Sequence, residues 1–163
     1  MDGVQLRRAV PDDARFLSEM LVEAANWSAL PGRSRVAILD DPRVSRYISG
    51  WPRPGDLGLV ATDENGTAIG AGWLRLFPAD QPGSGFVSVG VPELTLGINT
   101  QWRARGIGRS ILQALHGEAV GAGHSRVSLS VDRANHARRL YISEGYTVVS
   151  SGERADVMVR VLP

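Results

Sequence analysis

Two residue types are missing altogether. The 163 residues contain no cysteine and no lysine, and all 18 basic residues are arginine. Without cysteine there can be no disulfide, no thiol nucleophile and no thiolate metal site. That is compatible with a reducing compartment, and cytoplasm is the default reading. Without lysine there can be no Schiff-base chemistry and no Walker loop, which needs Lys before Ser or Thr. No apolar run approaches the length that spans a bilayer, and no basic-then-apolar leader opens the chain, so no membrane partner is expected. A net charge of +1 argues against a dedicated nucleic-acid binder. His116, His124 and His136 lack metal-ligand spacing; they are read as surface or helix-face residues, with no metal site. No G-x-S-x-G elbow is present, which disfavours a serine hydrolase. What remains is ordinary: 43% hydrophobic and 21% charged residues suit one globular domain over residues 1–163.

The most informative segment present is Arg103-Ala104-Arg105-Gly106-Ile107-Gly108. It follows a strand-like run, Glu93 to Ile98, and leads into an apolar-periodic stretch beginning Arg109-Ser110-Ile111-Leu112. A strand, a glycine-punctuated basic turn and a helix aim unpaired backbone N–H groups at an anion, and the glycines let a phosphate come close. A dinucleotide fingerprint would need a small residue where Ile111 stands. A second block follows. Val127 to Val131 reads as a strand, Asn135 opens a helix carrying Leu140-Tyr141, and Gly145-Tyr146 closes it, with Gly145 suited to a left-handed position past a helix end.

The R-x-x-G-x-G turn resembles that of the GNAT superfamily of N-acetyltransferases, and the Asn135-to-Tyr146 block resembles the next motif of that family. The resemblance implies that the turn holds the pyrophosphate of acetyl-coenzyme A. It covers the C-terminal third strongly and the rest by layout.

That layout begins with a strand at Val4 to Val10. A helix then starts at Pro11-Asp12-Asp13 and carries Phe16, Leu17, Met20, Leu21 and Ala24 to about Asn26. Short helices are expected at Ser34 to Leu39 and Arg43 to Ile48, with Asp41-Pro42 as cap and first turn. Strands at Leu57 to Thr62 and Ala68 to Phe77 flank Asn65-Gly66, a hairpin signal. Phe86 to Val89 is expected to run on into a Pro92 to Ile98 strand. Ile111, Leu112, Leu115 and Ala119 line one side of the next helix, which Gly121-Ala122-Gly123 ends. Tyr146 to Ser150 and Ala155 to Val161 form a last hairpin. An antiparallel meander followed by strand–helix–strand–helix is an α+β layout. With the resemblance, the expected fold is one mixed, mostly antiparallel sheet of about six to seven strands flanked by about four helices. Its fourth and fifth strands would splay apart to admit the pantetheine arm.

Acetyl transfer from a thioester to an amine requires holding the donor, deprotonating the amine and protonating the leaving thiolate. The resemblance assigns the donor to the backbone of Leu96, Gly97 and Ile98 and to Arg103, Ala104, Arg105, Gly106, Ile107, Gly108 and Arg109. Arg103 and Arg105 would add charge-assisted contacts, or be solvated turn residues. Asn135 would contact the pantetheine or simply cap its helix. Tyr141 sits where the family places its general acid; the alternative is a packed helix tyrosine. Where some members carry a basic Glu, five residues before the motif Asn, this chain has Ser130. Glu93 is the best remaining carboxylate for the base, against an exposed strand-end charge or water alone. Trp27, Tyr47, Trp51 and Arg75 are candidates for the acceptor side. The expected activity is an acetyl-CoA-dependent N-acetyltransferase acting directly on a primary amine of a small molecule or peptide. The alternative is a non-catalytic coenzyme A-binding sensor on the same fold. A homodimer is left open.

Overall fold

A computed structural model of the chain describes residues 3–28 and 32–163. Seven strands form one sheet in the order β1-β2-β3-β4-β5-β7-β6. The strands are β1 Gln5–Arg8, β2 Leu57–Thr62, β3 Ala68–Arg75, β4 Glu93–Ile98, β5 Arg126–Asp132, β6 Thr147–Ser151 and β7 Ala155–Val161. All neighbours run antiparallel except β4 and β5, which are parallel. Among the described residues five α-helices flank the sheet: α1 Ala14–Ala25, α2 Arg35–Leu39, α3 Pro42–Ser45, α4 Ile107–Gly121 and α5 Ala137–Ser143.

The helix starts follow local chemistry. Pro11 to Asp13 make a 3-10 turn ahead of α1. The Asp13 carboxylate accepts the Val10 N–H at 2.7 Å and pairs with Arg7, so it ties strand end to helix start. Ser34 caps α2 and Asp41 caps α3 through side-chain oxygens, which satisfies N–H groups that the helix itself cannot. The two short helices thus start where the sequence places them, one turn or so in length.

Each face of the sheet buries its own core. On one face, Leu17, Met20 and Leu21 of α1 pack with Val60, Ala71 and Trp73. On the other, Ile111, Leu112, Leu115 and Ala119 of α4 pack with Leu59, Leu94, Leu129 and Met158. A β-carbon on Gly97 would collide with the Met20 carbonyl oxygen, so α1 lies against β4 closely enough to require glycine there.

One expectation fails and another is narrowed. Phe86 to Val89 form no strand, because the chain turns at Ser84-Gly85 and again at Val89-Gly90 before β4 begins at Glu93. The apolar run that suggests a strand is instead loop, with Phe86 bonded back to Gly83 and Val91 to Ser88. His116 is not a surface residue: it is buried on α4, its ring nitrogens bonded to Tyr146 and Arg160.

Candidate active site

Between β4 and β5 the sheet opens. The strands share one register pair, Glu93 with Ser128, and the Ser128 N–H reaches the Pro92 carbonyl at 3.0 Å. Past that point β4 pairs only with β3, so alternate backbone N–H and C=O groups of Thr95 to Ile98 face a gap. The gap continues into a cleft of about 890 Å³. Strand alternation splits the residues around it. Glu93, Thr95 and Gly97 point to the α1 face, whereas Leu94 belongs to the α4 core, which also contains Tyr141 of α5. Glu93 and Tyr141 therefore approach one cleft from opposite faces of the sheet, and both line it.

At one end of the cleft lies the glycine turn. Gly106 precedes α4 in the left-handed region at φ +81°, and Ala104 is left-handed too at φ +61°, a conformation costly for a residue with a β-carbon. A β-carbon on Gly106 would meet nothing within 4 Å, whereas one on Gly108 would lie in ordinary contact with the side chains of Leu140, Leu96 and Ile98, at 3.5 to 4.0 Å. Gly106, Ile107 and Gly108 line the cleft, so the first turn of α4, whose N–H groups have no partner within the helix, lies at its wall, an arrangement able to seat an anion on backbone. The arginine side chains are engaged elsewhere. Arg103 contacts Glu23 at 3.3 Å, Arg105 stacks over the Trp102 ring at 4.8 Å, and Arg109 pairs with Glu144 at 2.8 Å. Arg103 and Arg109 still line the cleft; Arg105 is not among its lining residues.

Glu93 is not an exposed strand-end charge. Its carboxylate is buried, one oxygen accepts the Tyr47 hydroxyl, and the other has no hydrogen-bond partner among the described residues. Burial pushes this carboxyl up to about 7, against the opposing pull of the Tyr47 hydroxyl and the Arg46 charge. Tyr47 itself is held hard. Its hydroxyl accepts the Ser84 N–H at 2.7 Å, its ring meets Phe77 edge-on, and its carbonyl takes the Trp73 indole N–H at 2.8 Å. Burial and the neighbouring Glu93 raise the Tyr47 hydroxyl well above the phenol range. The loop before β4 packs beside Glu93, where a β-carbon on Gly83 would collide with the carboxylate. A β-carbon on Gly85 would stand 2.5 Å from the Leu129 carbonyl carbon, so this loop lies backbone to backbone against β5.

Tyr141 is buried beside the cleft, and burial raises its hydroxyl above the usual phenol value. Its hydroxyl makes no hydrogen bond among the described residues, and its ring meets Tyr146 at 5.7 Å and 62°. Asn135 lines the cleft, and its side-chain oxygen accepts the Ala137 N–H at 2.9 Å, one residue ahead of His136 at the N-cap of α5.

The four acceptor-side candidates separate. Trp27 and Tyr47 line the cleft. Trp51 does not: its indole donates to the Val10 carbonyl at 3.1 Å, and its ring lies against Gly58. Arg75 is also misplaced by the sequence reading. It is 1% exposed, pairs with Asp56 at 2.8 Å and donates to the carbonyls of Arg46 and Ser49. It anchors the segment that carries Tyr47 rather than meeting a ligand. The sequence also misses Tyr47 as the partner of Glu93, since no local spacing links residues 47 and 93. Trp102, Ser84 and Ser130 line the cleft as well.

Residues 18–146 match the model of the acetyltransferase (GNAT) family. The chain belongs to that family. Among curated proteins, mycothiol acetyltransferase of Propionibacterium freudenreichii subsp. shermanii is 33% identical over 110 residues, 66% of this chain. The aligned part is 32% of that protein, so the chain spans about a third of its curated relative. Among solved structures, the PaiA N-acetyltransferase of Thermoplasma acidophilum in complex with coenzyme A superposes with TM-score 0.71 at 18% identity, over 97% of this chain and 98% of that one. A GNAT superfamily phosphinothricin acetyltransferase of Sinorhizobium meliloti, in complex with acetyl-CoA, gives TM-score 0.70 at 20% identity, covering 98% and 89%. These likenesses establish the GNAT fold.

Proposed function

We propose that the protein is an acetyl-CoA-dependent N-acetyltransferase that uses Glu93 as proton acceptor and Tyr141 as proton donor. One observation carries the reading: an open backbone anion seat, an unpaired strand edge, a buried carboxylate and a buried phenol share one cleft. The residues fit the donor. The first turn of α4, from Gly106 to Arg109, would take the pyrophosphate on backbone N–H groups. The exposed edge of Leu96, Gly97 and Ile98 would pair with pantetheine amides as a strand does. Bound there, acetyl-CoA supplies the acetyl group as an activated thioester.

The rest of the chemistry falls to side chains. An amine arriving from the α1 face, past Trp27 and Tyr47, meets Glu93. A carboxylate titrating at about 7 is better matched to accepting an amine proton at neutral pH than an ordinary glutamate. Tyr47 fixes which oxygen is free. From the other face, Tyr141 carries a hydroxyl hydrogen that burial keeps in place, and it donates that hydrogen to the departing sulfur. The products are an N-acetyl amine and free coenzyme A, with the amine proton left on Glu93 and Tyr141 left as a phenolate; Glu93 then releases its proton to water and Tyr141 takes one back from water, which restores both groups. A primary amine of a small molecule or a peptide N-terminus is the acceptor class, and the aromatic entrance suits an organic group beside the nitrogen.

The test is thiol release from acetyl-CoA against a panel of diamines, amino acids, aminoglycosides and short peptides. The account expects amine-dependent release that is lost in Tyr141→Phe. Acetyl-CoA binding by calorimetry with no release for any amine would overturn it.

A further inference from the structure

Behind Tyr141, away from the cleft, three polar side chains form a chain through the core. Arg160 of β7 contacts His116 Nδ1 at 2.6 Å, and His116 Nε2 contacts the Tyr146 hydroxyl at 2.8 Å. His116 is 5% and Tyr146 2% exposed, so the link between them is closed to solvent. The proton positions follow from chemistry. A guanidinium can only donate, so Nδ1 must be the acceptor and the ring hydrogen must sit on Nε2, aimed at the Tyr146 oxygen. Burial and the Arg160 charge push His116 down to about 4, despite Glu144 nearby, which keeps the ring neutral near pH 7. Tyr146 is tied to Tyr141 twice. Its N–H donates to the Tyr141 carbonyl at 3.0 Å, across the left-handed Gly145, and its ring packs edge-on against the Tyr141 ring.

We propose that Arg160, His116 and Tyr146 are positioning residues that hold the Tyr141 ring at the angle from which its hydroxyl enters the cleft. The proposal rests on the reading of Tyr141 as the proton donor. The Tyr141 hydroxyl has no hydrogen bond of its own among the described residues, so nothing at its tip fixes the ring; the aromatic contact behind it must. A Tyr146 ring anchored at its far end by His116 cannot rotate away. Such orientation matters because small misplacements of a reacting group cost large factors in rate.

The chain has three tyrosines and three histidines, few enough for direct spectroscopy. Nitrogen NMR on labelled histidine is expected to show His116 as the neutral Nε2–H form at pH 6. A protonated ring or the Nδ1–H form there would contradict the chain. With ring-labelled tyrosine, Tyr146→Phe and His116→Leu are each expected to shift or broaden the Tyr141 signal. His116→Gln, which keeps a donor for Tyr146 and an acceptor for Arg160, is expected to restore most of it. In transfer to the fastest amine of the panel, Tyr146→Phe should lower kcat by about ten- to a hundredfold. Acetyl-CoA affinity should stay within about twofold, since no binding contact is touched. The double variant Tyr141→Phe/Tyr146→Phe should be no slower than Tyr141→Phe alone, because the second change acts only through the first. Additive losses, or a Tyr141 signal indifferent to both Tyr146→Phe and His116→Leu, would overturn the proposal. If Tyr141→Phe keeps full kcat, the donor assignment itself fails, whereas the Tyr141 signal still reports whether the chain sets the ring. Tyr146→Phe removes one oxygen and keeps the packing, so it judges the proposal even if His116→Leu does not fold.

Discussion

The two ends of the cleft are built from opposite materials. At the α4 turn the groups proposed to bind are backbone N–H donors, the side chains lean away into Glu23, Trp102 and Glu144, and Ala104 is held in a left-handed conformation. At Glu93 the functional group is one buried side chain, and the backbone around it serves as packing: Gly85 against β5, Gly97 against Met20, Ser84 bonded to Tyr47. A backbone seat binds a polyanion with little help from any one residue. A buried carboxylate gains a shifted proton affinity only through its partners. Binding should therefore tolerate side-chain loss at the first end, and proton transfer should be sensitive to single atoms at the second.

The largest effect is expected where a side chain is forced into the backbone seat. Gly108→Glu places a carboxylate at the first turn of α4, where the phosphate would sit, with its β-carbon in ordinary contact with Leu140, Leu96 and Ile98. Acetyl-CoA affinity should fall by at least about a hundredfold by calorimetry, with the far-UV CD spectrum unchanged. Next comes Tyr141→Phe, which removes one hydroxyl and keeps the ring. Turnover should fall by about a hundredfold with acetyl-CoA affinity retained, the pattern of a lost proton donor.

Glu93→Gln sharpens the contrast further, since it should impair catalysis and stabilise the fold. The folded carboxyl titrates near 7, above its ordinary value of 4.5. Ionising it therefore costs the folded state free energy, which grows as pH rises from about 4.5 to 7 and stays constant above. Glutamine, uncharged throughout, should unfold at a higher temperature than the wild type at pH 8, by up to roughly 3 kcal/mol of stability. At pH 4.5 the gain should vanish. In the same variant the rise in kcat/KM through pH 7 should disappear, and the deficit should shrink as pH nears the amine's own pKa. The smallest effect is expected for Arg103→Ala. Its half-exposed pairing with Glu23 leaves it a screened contributor, so acetyl-CoA affinity should weaken by no more than about fivefold.

The same contrast explains what could be read from the chain alone. The α4 turn was legible as a structure because its features are local: Gly106, Gly108 and the helix that follows are contiguous, and the role proposed for its N–H groups needs no distant partner. The hairpin at Asn65-Gly66 and the left-handed Gly145 were legible for the same reason. Glu93 could be nominated from its place at the start of β4, but its burial could not, because Tyr47, Ser84 and Gly85 reach it only through the fold. Arg75 and Trp51 were misplaced because an arginine or tryptophan in sequence carries no mark of its partner; Asp56 and the Val10 carbonyl decide where they lie. His116 misled in the same way, as a lone histidine on a helix whose two partners come from residues 146 and 160.

The most direct measurement is a carbon NMR titration of the glutamate side-chain carboxyls between pH 3 and 9, with Glu93 assigned by its absence in Glu93→Gln. The account predicts one carboxyl, Glu93, titrating at about 7, apart from the exposed glutamates. A Glu93 signal that titrates between about 4 and 5, as an unperturbed glutamate does, would contradict the claim that this end of the cleft holds a buried base.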